Sequence, residues 1–324
     1  ARGLLRGIVA YIREHRPWSL YLAEHGRGDQ PPRWLRGWRG DGIIARIETP
    51  AMAAALRRMR VPIVDVSAAR LIPALPWFET DDAAFAQVAF EHLRERGFTR
   101  FGYCGDPRFN WSRWREEHFR RAAEMEGGQY FSYQPGRRFP RDDAEQVEDI
   151  ARWLRRLPRP IGIMACYDLR GQQLLDACRR CAIAVPDEIA VIGVDNDELL
   201  CDLSDPPLTS VIPNTHRTGY DAAARLDDLM SGKRARAQTH LVPPVGIATR
   251  QSTDAVAIED RSVAMAMRHI REHACDGINV KDVLRAAPQS RRRLESAFRR
   301  LFGRTPHEEI LRLQLDRAKH LLVA

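Results

Sequence analysis

Along the first 250 residues, short apolar runs alternate with longer stretches in which apolar positions recur every three or four residues. The longer spacing puts one stripe on a helix, whereas a short continuous apolar run suits a strand covered on both faces. On that basis residues 2–15 read as an amphipathic helix, 18–23 as strand-like, 42–47 as a strand, 51–60 as a helix and 61–67 as a strand. The rhythm continues with helices over 82–97, 114–125, 145–157 and 171–180, and strands over 101–105, 161–166 and 189–195. Strands separated by helices of ten or more residues predict parallel sheets with helices on both faces. The expected fold is therefore α/β, with two doubly wound units in tandem. Open sheets of this kind bind ligands at the carboxyl ends of their strands, so two such edges facing each other would enclose a cleft. The pattern also calls for a buried strand ahead of the first helix, which residues preceding Ala1 are expected to supply.

Past residue 254 the rhythm changes. Residues 279–289 read as a short helix and a tight turn, and residues 290–302 as a second helix whose Leu294, Phe298, Leu301 and Phe302 share one stripe. Ser290 stands where an N-cap belongs. From Arg285 to Arg304 there are seven arginines against a single acid, Glu295, so one face packs and the other is left to meet phosphate. The pair has helix-turn-helix form, which makes double-stranded DNA the first partner to consider.

Charge sharpens that division. The net charge is +8, but residues 259–324 carry 14 Lys and Arg against 9 Asp and Glu, leaving only +3 on the first 258 residues. A local basic excess favours a local anionic partner over a generally adhesive surface. With 324 residues, 44% hydrophobic and 29% charged, the chain is long enough for two or three cores and is no disordered tail. It opens without an export-signal pattern, and a cytoplasmic location is expected. The six cysteines are too sparse for a disulfide scaffold. Cys178 and Cys181 have no second pair to complete a zinc site, and His269, His273 and Cys275 lack the adjacent acid of a metal-binding helix, so neither metal nor cofactor is expected. No phosphate-binding glycine loop, nucleophile elbow or HExxH motif is present, which argues against an enzyme.

The motifs DGIIA from Asp41, RGFTRFG from Arg96, VPDEIAVIGVDND from Val185 and the proline-framed run Pro206–Pro213 resemble the effector-binding module of LacI-type repressors, which is related to periplasmic sugar-binding proteins. The segment from Leu294 to Leu322 resembles the first half of an AraC-type DNA-binding domain. Joined in this order, with RQSTD from Arg250 and the run from His269 to Val280, they resemble the xylose-operon regulator family over essentially the whole chain. The resemblance implies a two-lobed sensor over residues 1–254. It also implies an all-α AraC-type unit over 255–324 that holds the first helix-turn-helix and linker helix only. Pro288 and Gln289 depart from the family's turn.

A neutral polyol needs paired donors and acceptors beside an aromatic face. Residues 107–115, read as a loop after a strand, supply Trp111 and Trp114 for stacking and Arg113 and Arg115 as forks to hydroxyls. The resemblance implies that Arg115 clamps the effector and that Asp195 accepts from its hydroxyls. Asn196 can both donate and accept. Asp168 and Asp81, at comparable strand exits, are each as well suited to capping a helix as to touching ligand. Trp77, Phe78, Trp18, Trp34, Trp38 and Trp153 are read as packing.

On the DNA side, the resemblance implies base reading by Arg291, Arg292, Glu295 and Ser296, with Arg299 and Arg300 on phosphates. The expected function is a sugar-responsive activator acting as a homodimer on promoter DNA, with D-xylose or a similar pentose as effector and RNA polymerase as a possible further partner. The alternative is a sugar-binding protein or sugar-processing enzyme without a regulatory role.

Overall fold

A computed structural model describes residues 2–22, 30–135, 142–233, 239–254, 260–287 and 289–323. The chain runs α1 (Arg2–Glu14), β1 (Ile43–Ala45), α2 (Pro50–Leu56), β2 (Ile63–Asp65), β3 (Trp77–Thr80), α3 (Asp82–Glu95), β4 (Arg100–Cys104), α4 (Asn110–Met125) and β5 (Gln129–Ser132). It continues with α5 (Asp143–Leu154), β6 (Ile161–Ala165), α6 (Asp168–Arg180), β7 (Ile189–Val194), α7 (Glu198–Leu203), β8 (Thr209–Ile212), α8 (Thr215–Met230), β9 (Thr239–Val242) and β10 (Gly246–Ala248). Four helices follow: α9 (Arg261–His273), α10 (Val280–Ala286), α11 (Arg291–Phe302) and α12 (Pro306–Val323).

The strands form two sheets, ordered β1-β2-β3-β9 and β10-β8-β7-β6-β4-β5. Every pairing is parallel except β10 with β8. In the larger sheet β6 and β7 are buried at every position, because α3 and α4 cover one face and α5 and α6 the other. That double cover is why these strands read as unbroken apolar runs. The smaller sheet carries α1 and α8 on one face, around Ile8, Tyr11, Val64, Phe78 and Leu226, and α2 on the other. Helices α1 and α8 approach backbone to backbone: a Cβ on Gly7 would lie 2.0 Å from the His216 carbonyl oxygen, and one on Gly219 would lie 2.0 Å from that of Leu4.

The two sheets define two lobes, and the described chain crosses between them at residues 80–82, 212–215 and 242–246. The crossings lie side by side, since the Asp81 amide donates to the Val242 carbonyl (2.9 Å) and the Val245 amide to that of Ile212 (2.9 Å). Three adjacent crossings make a hinge and leave the strand ends of both lobes facing one space.

Three expectations are corrected. Residues 18–22 form no strand: no described strand pairs with them, Leu20, Tyr21 and Leu22 are 58%, 63% and 59% exposed, and Tyr21 meets Trp34 edge-on at 4.8 Å; Ala23 lies outside the described residues. The loop read over 107–115 is helical from Asn110 onward, with the Trp111 amide bonded to Asn110 Oδ1 (2.9 Å). Strands β3, β5, β8, β9 and β10, of three or four residues each, go beyond what the apolar rhythm predicts.

Helices α9 to α12 gather around a core of their own, including Val263, Met267, Ile270, Val283, Leu294, Phe298 and Ile310. Asn279 and Asp282 form a capping box on α10, Ser290 caps α11, and Gly303 (φ +69) ends it. Pro288 of the turn lies outside the described residues. The cluster rests against the larger lobe through ion pairs. Arg271 pairs with Asp187, Arg268 with Glu188 (3.3 Å) and Arg312 with Asp254 (3.2 Å).

Candidate functional site

Trp111 and Arg115 are one turn apart on the inward face of α4. Arg115 is 4% exposed, and its guanidinium lies 5.2 Å from the centre of the Trp111 ring and 5.3 Å from that of Phe85. Nε and Nη2 donate to Asp82 Oδ1 (3.0 and 2.7 Å), and Nη1 to the Cys166 carbonyl (2.5 Å). Burial works against the charge, but Asp82, and more distantly Tyr103 and Asp195, hold the arginine above its ordinary value. Each guanidinium nitrogen thus has a protein partner, and a ligand can be met only by the second protons of Nη1 and Nη2.

Asp195 and Asn196 follow the end of β7, both with positive φ (+110 and +46). Asp195 is exposed. The Asn196 amide donates to Ser210 Oγ (3.0 Å), and its side-chain oxygen accepts from Arg250 Nη1 (3.0 Å). Asp168, in the first turn of α6, is buried and works inward: it accepts from Ser210 Oγ (2.6 Å) and from the Asp197 amide (2.8 Å). Burial, with the Asp195 charge adding, pushes its carboxyl up to about 7. The packing leaves no room at Gly193, where a Cβ would stand 2.4 Å from Asp168 Oδ1. Arg115, Asp168, Asp195 and Asn196 therefore share one neighbourhood, with Asp168 bracing the turn that presents the other two.

The aromatic wall is larger than the sequence suggested. Trp111 stacks on Phe109 (5.1 Å between centres, 14°), and Tyr167 meets it edge-on at 5.8 Å. Trp114 is 41% exposed and faces Trp77 of the other lobe edge-on at 6.5 Å. Asn110 Nδ2 reaches across to the Ala68 carbonyl (3.2 Å). Two expected residues stand apart: Arg113 faces solvent on the far side of α4, and Asp81 caps α3 through the Ala84 amide (3.1 Å).

The smaller lobe adds carboxyls that sequence reading passed over. Asp65, at the end of β2, is wholly buried; one oxygen accepts from the Ser67 amide (2.9 Å), the other has no hydrogen-bond partner among the described residues, and burial raises it to about 6. Glu79, one residue from the end of β3, is raised to about 7 by burial. The signal was available in an acid closing each apolar run, IVD and WFET.

On α11 the setting is the opposite. Arg291, Arg292, Ser296, Arg299 and Arg300 are exposed, while Glu295 pairs with Arg291 (2.7 Å). A shallow recess of about 420 Å³ lies against this helix, lined in part by Ser290, Arg292, Arg293, Ser296 and Arg300. Among the described residues no group of three or more His, Cys, Asp or Glu side chains is placed to hold a metal ion, and no helix is long and apolar enough to cross a membrane.

Comparison with known proteins bears on both regions. Residues 1–83 match the XylR N-terminal domain family, and residues 90–253 the periplasmic binding protein-like domain family. The whole chain is 35% identical to the xylose operon regulatory protein of Escherichia coli K12, covering 84% of its length; 87% of the chain is 34% identical to that of Haemophilus influenzae, covering 75% of that protein. A solved structure described as the xylose-binding transcription activator xylR superposes with a TM-score of 0.82 at 34% identity, over 99% of this chain and 84% of that one. The chain, with its periplasmic-binding-protein-like sensor, belongs to the xylose operon regulatory protein family and is a transcription regulator, not an enzyme.

Proposed function

We propose that this chain is a pentose-responsive activator, with D-xylose or a close relative held between the lobes and double-stranded promoter DNA met by α11. The convergence of Arg115, Asp195 and Asn196 beside the Phe109–Trp111–Tyr167 wall carries the reading, because it sets hydroxyl donors and acceptors against a face suited to sugar C–H groups. Membership of the xylose operon regulatory protein family, and the likeness to a xylose-binding transcription activator of known structure, support the choice of pentose.

In this proposal residues 1–254 sense and residues 255–324 bind DNA. Arg115, Asp195, Asn196 and Trp111 contact the sugar. Asp168 braces the turn, while Arg113 on the far side of α4 and Asp81 as the cap of α3 stay outside the contact set. Arg291, Arg292, Glu295 and Ser296 face bases, and Arg299 and Arg300 face phosphates. A sugar touching both lobes favours the closed arrangement, and only that difference in affinity can shift the equilibrium. Closure then changes how a homodimer spaces its two DNA-binding units for recruitment of RNA polymerase.

Calorimetric titration with a panel of pentoses and hexoses tests the first half, with D-xylose expected to bind and hexoses to bind more weakly. Affinity for DNA from upstream of pentose-catabolic genes, measured with and without D-xylose at fixed salt, tests the second. Equal affinity and equal DNA geometry in both conditions would discard the switching claim.

A further inference from the structure

The turn formed by Asp195 and Asn196 has left-handed backbone at two consecutive non-glycine residues, a conformation that persists only where neighbours hold it. One neighbour comes from 54 positions downstream: Arg250 Nη1 donates to Asn196 Oδ1 (3.0 Å). The same nitrogen donates to the Leu208 carbonyl (3.1 Å), and Nε to Asp202 Oδ1 of α7 (2.7 Å). The Arg250 backbone is fixed to β8, its amide donating to Thr209 Oγ1 (2.8 Å) and its carbonyl accepting from that hydroxyl (3.0 Å).

The next residues run inward. Ser252 and Thr253 are fully buried in a 3-10 turn over Gln251–Thr253. Ser252 Oγ donates to the Val191 carbonyl of β7 (2.6 Å), and Thr253 Oγ1 lies 2.8 Å from both His92 Nε2 and Thr209 Oγ1. Asp254 closes the run on the helical cluster: its carbonyl accepts from Arg271 Nη2 and its carboxylate from Arg312 Nη2 (3.2 Å). Arg271 also pairs with Asp187 of the larger lobe.

We propose that residues 250–254 form a strap tying the ligand-facing turn to the helical unit, with Arg250 as the positioning residue for Asn196. With its side-chain oxygen held by Arg250, Asn196 offers its amide N–H groups, a donor set beside the acceptor Asp195. That donor role rests on the proposed reading of the cleft. A ligand that draws on Asn196 draws on Arg250, and the same five residues carry the displacement to Arg271 and Arg312.

The test uses hydrogen exchange on the full chain, first without any sugar. Arg250→Gln is expected to raise amide exchange at residues 195–197 and also in α9, by roughly fivefold or more, while β1 and β2 stay unaltered. An arginine of merely local importance raises the turn alone, and that result overturns the strap. Arg271→Gln is expected to loosen α9 and, because coupling is reciprocal, to lower D-xylose affinity by about twofold to threefold, whereas Arg250→Gln lowers it about tenfold by losing the charged hydrogen bond that orients Asn196. If Arg250→Gln does not fold, Arg250→Lys replaces it, since lysine keeps the charge but its single nitrogen cannot bond Asp202 and Asn196 together. A wild-type chain that binds no pentose defeats the effector reading, while the exchange pattern still decides the strap.

Discussion

Arg115 in the cleft and Arg292 on α11 are the same side chain in opposite settings. Arg115 is 4% exposed, held between two aromatic rings, and all three of its nitrogens are bonded within the protein. Arg292 stands in solvent at the edge of a shallow recess. A buried guanidinium with fixed partners cannot search for a ligand, so it discriminates by geometry. An exposed one keeps its rotamer freedom until an anion orders it, and its contribution is screened by salt. In the proposed function, the contrast is between a site built before its ligand arrives and one completed by its partner.

The sharpest break of that contrast is Arg115→Ala, which leaves Asp82 as an unpaired buried carboxylate and is expected to cost about 3–5 kcal/mol of stability. Arg292→Ala is expected to stay within about 0.5 kcal/mol of wild type. Urea unfolding of both proteins decides, and equal losses would mean that the two settings do not differ as described. Gly193→Ala comes next. Its Cβ meets Asp168 Oδ1 at 2.4 Å, so it is expected to cost about 1–3 kcal/mol and to weaken D-xylose binding without touching the sugar. Unaltered calorimetric affinity in a folded variant would show that the bracing of the turn is irrelevant.

If α11 meets DNA as proposed, Arg292→Ala is expected to lose about 1–3 kcal/mol of preference between sequences, while Arg299→Ala mainly lowers the salt slope by about one. Binding measured over a salt series on matched and mismatched DNA sorts the two. A uniform loss across sequences for Arg292→Ala reassigns it to phosphate.

The smallest expected effect concerns pH. Glu79 is raised from 4.5 to about 7 by burial, so the folded chain holds this proton more tightly than the unfolded one. Stability therefore falls as pH climbs from 4.5 to about 7 and levels off beyond, and returning from pH 8 to pH 6 is expected to recover about 1 kcal/mol from this group. Asp168, raised to about 7, and Asp65, raised to about 6, act in the same direction. Glu79→Gln preserves the oxygen that accepts from the Thr80 amide (2.9 Å) and hydroxyl (2.8 Å), and should flatten that part of the slope. An unaltered slope in urea midpoints would assign the titration elsewhere.

What could be read from the chain follows from the same contrast. Strands β6 and β7, and β4 beyond Arg100, were legible because helices cover both faces and leave the strand interiors apolar. Strands β3 and β9 were not: they pair with each other across a long interval, Phe78 opposite His240, and three or four residues carry too little periodicity. Residues 18–22 looked like a strand because they are apolar, but a strand also requires a partner edge. Arg115 and Asp195 were singled out through family motifs, and the fold brings them into one neighbourhood. Phe109, Tyr167, Asn110 and Arg250 matter through neighbours distant in the chain, and local spacing does not encode that. Asp168 and Asp81 were ambiguous between cap and ligand, and the observed hydrogen bonds employ both within the protein.

The close approach of α1 to α8 bears on how the molecule is made. Tyr11 donates to Asp227, 216 positions away, and the glycines between the two helices admit no substitute cover. At a synthesis rate of about 5–20 residues per second, the apolar side of the first helix waits roughly 10–40 s for its mate to leave the ribosome. During that interval Ile8 and Tyr11 are natural clients for a chaperone, and the lobe that contains α1 cannot be finished until α8 and β9 have emerged.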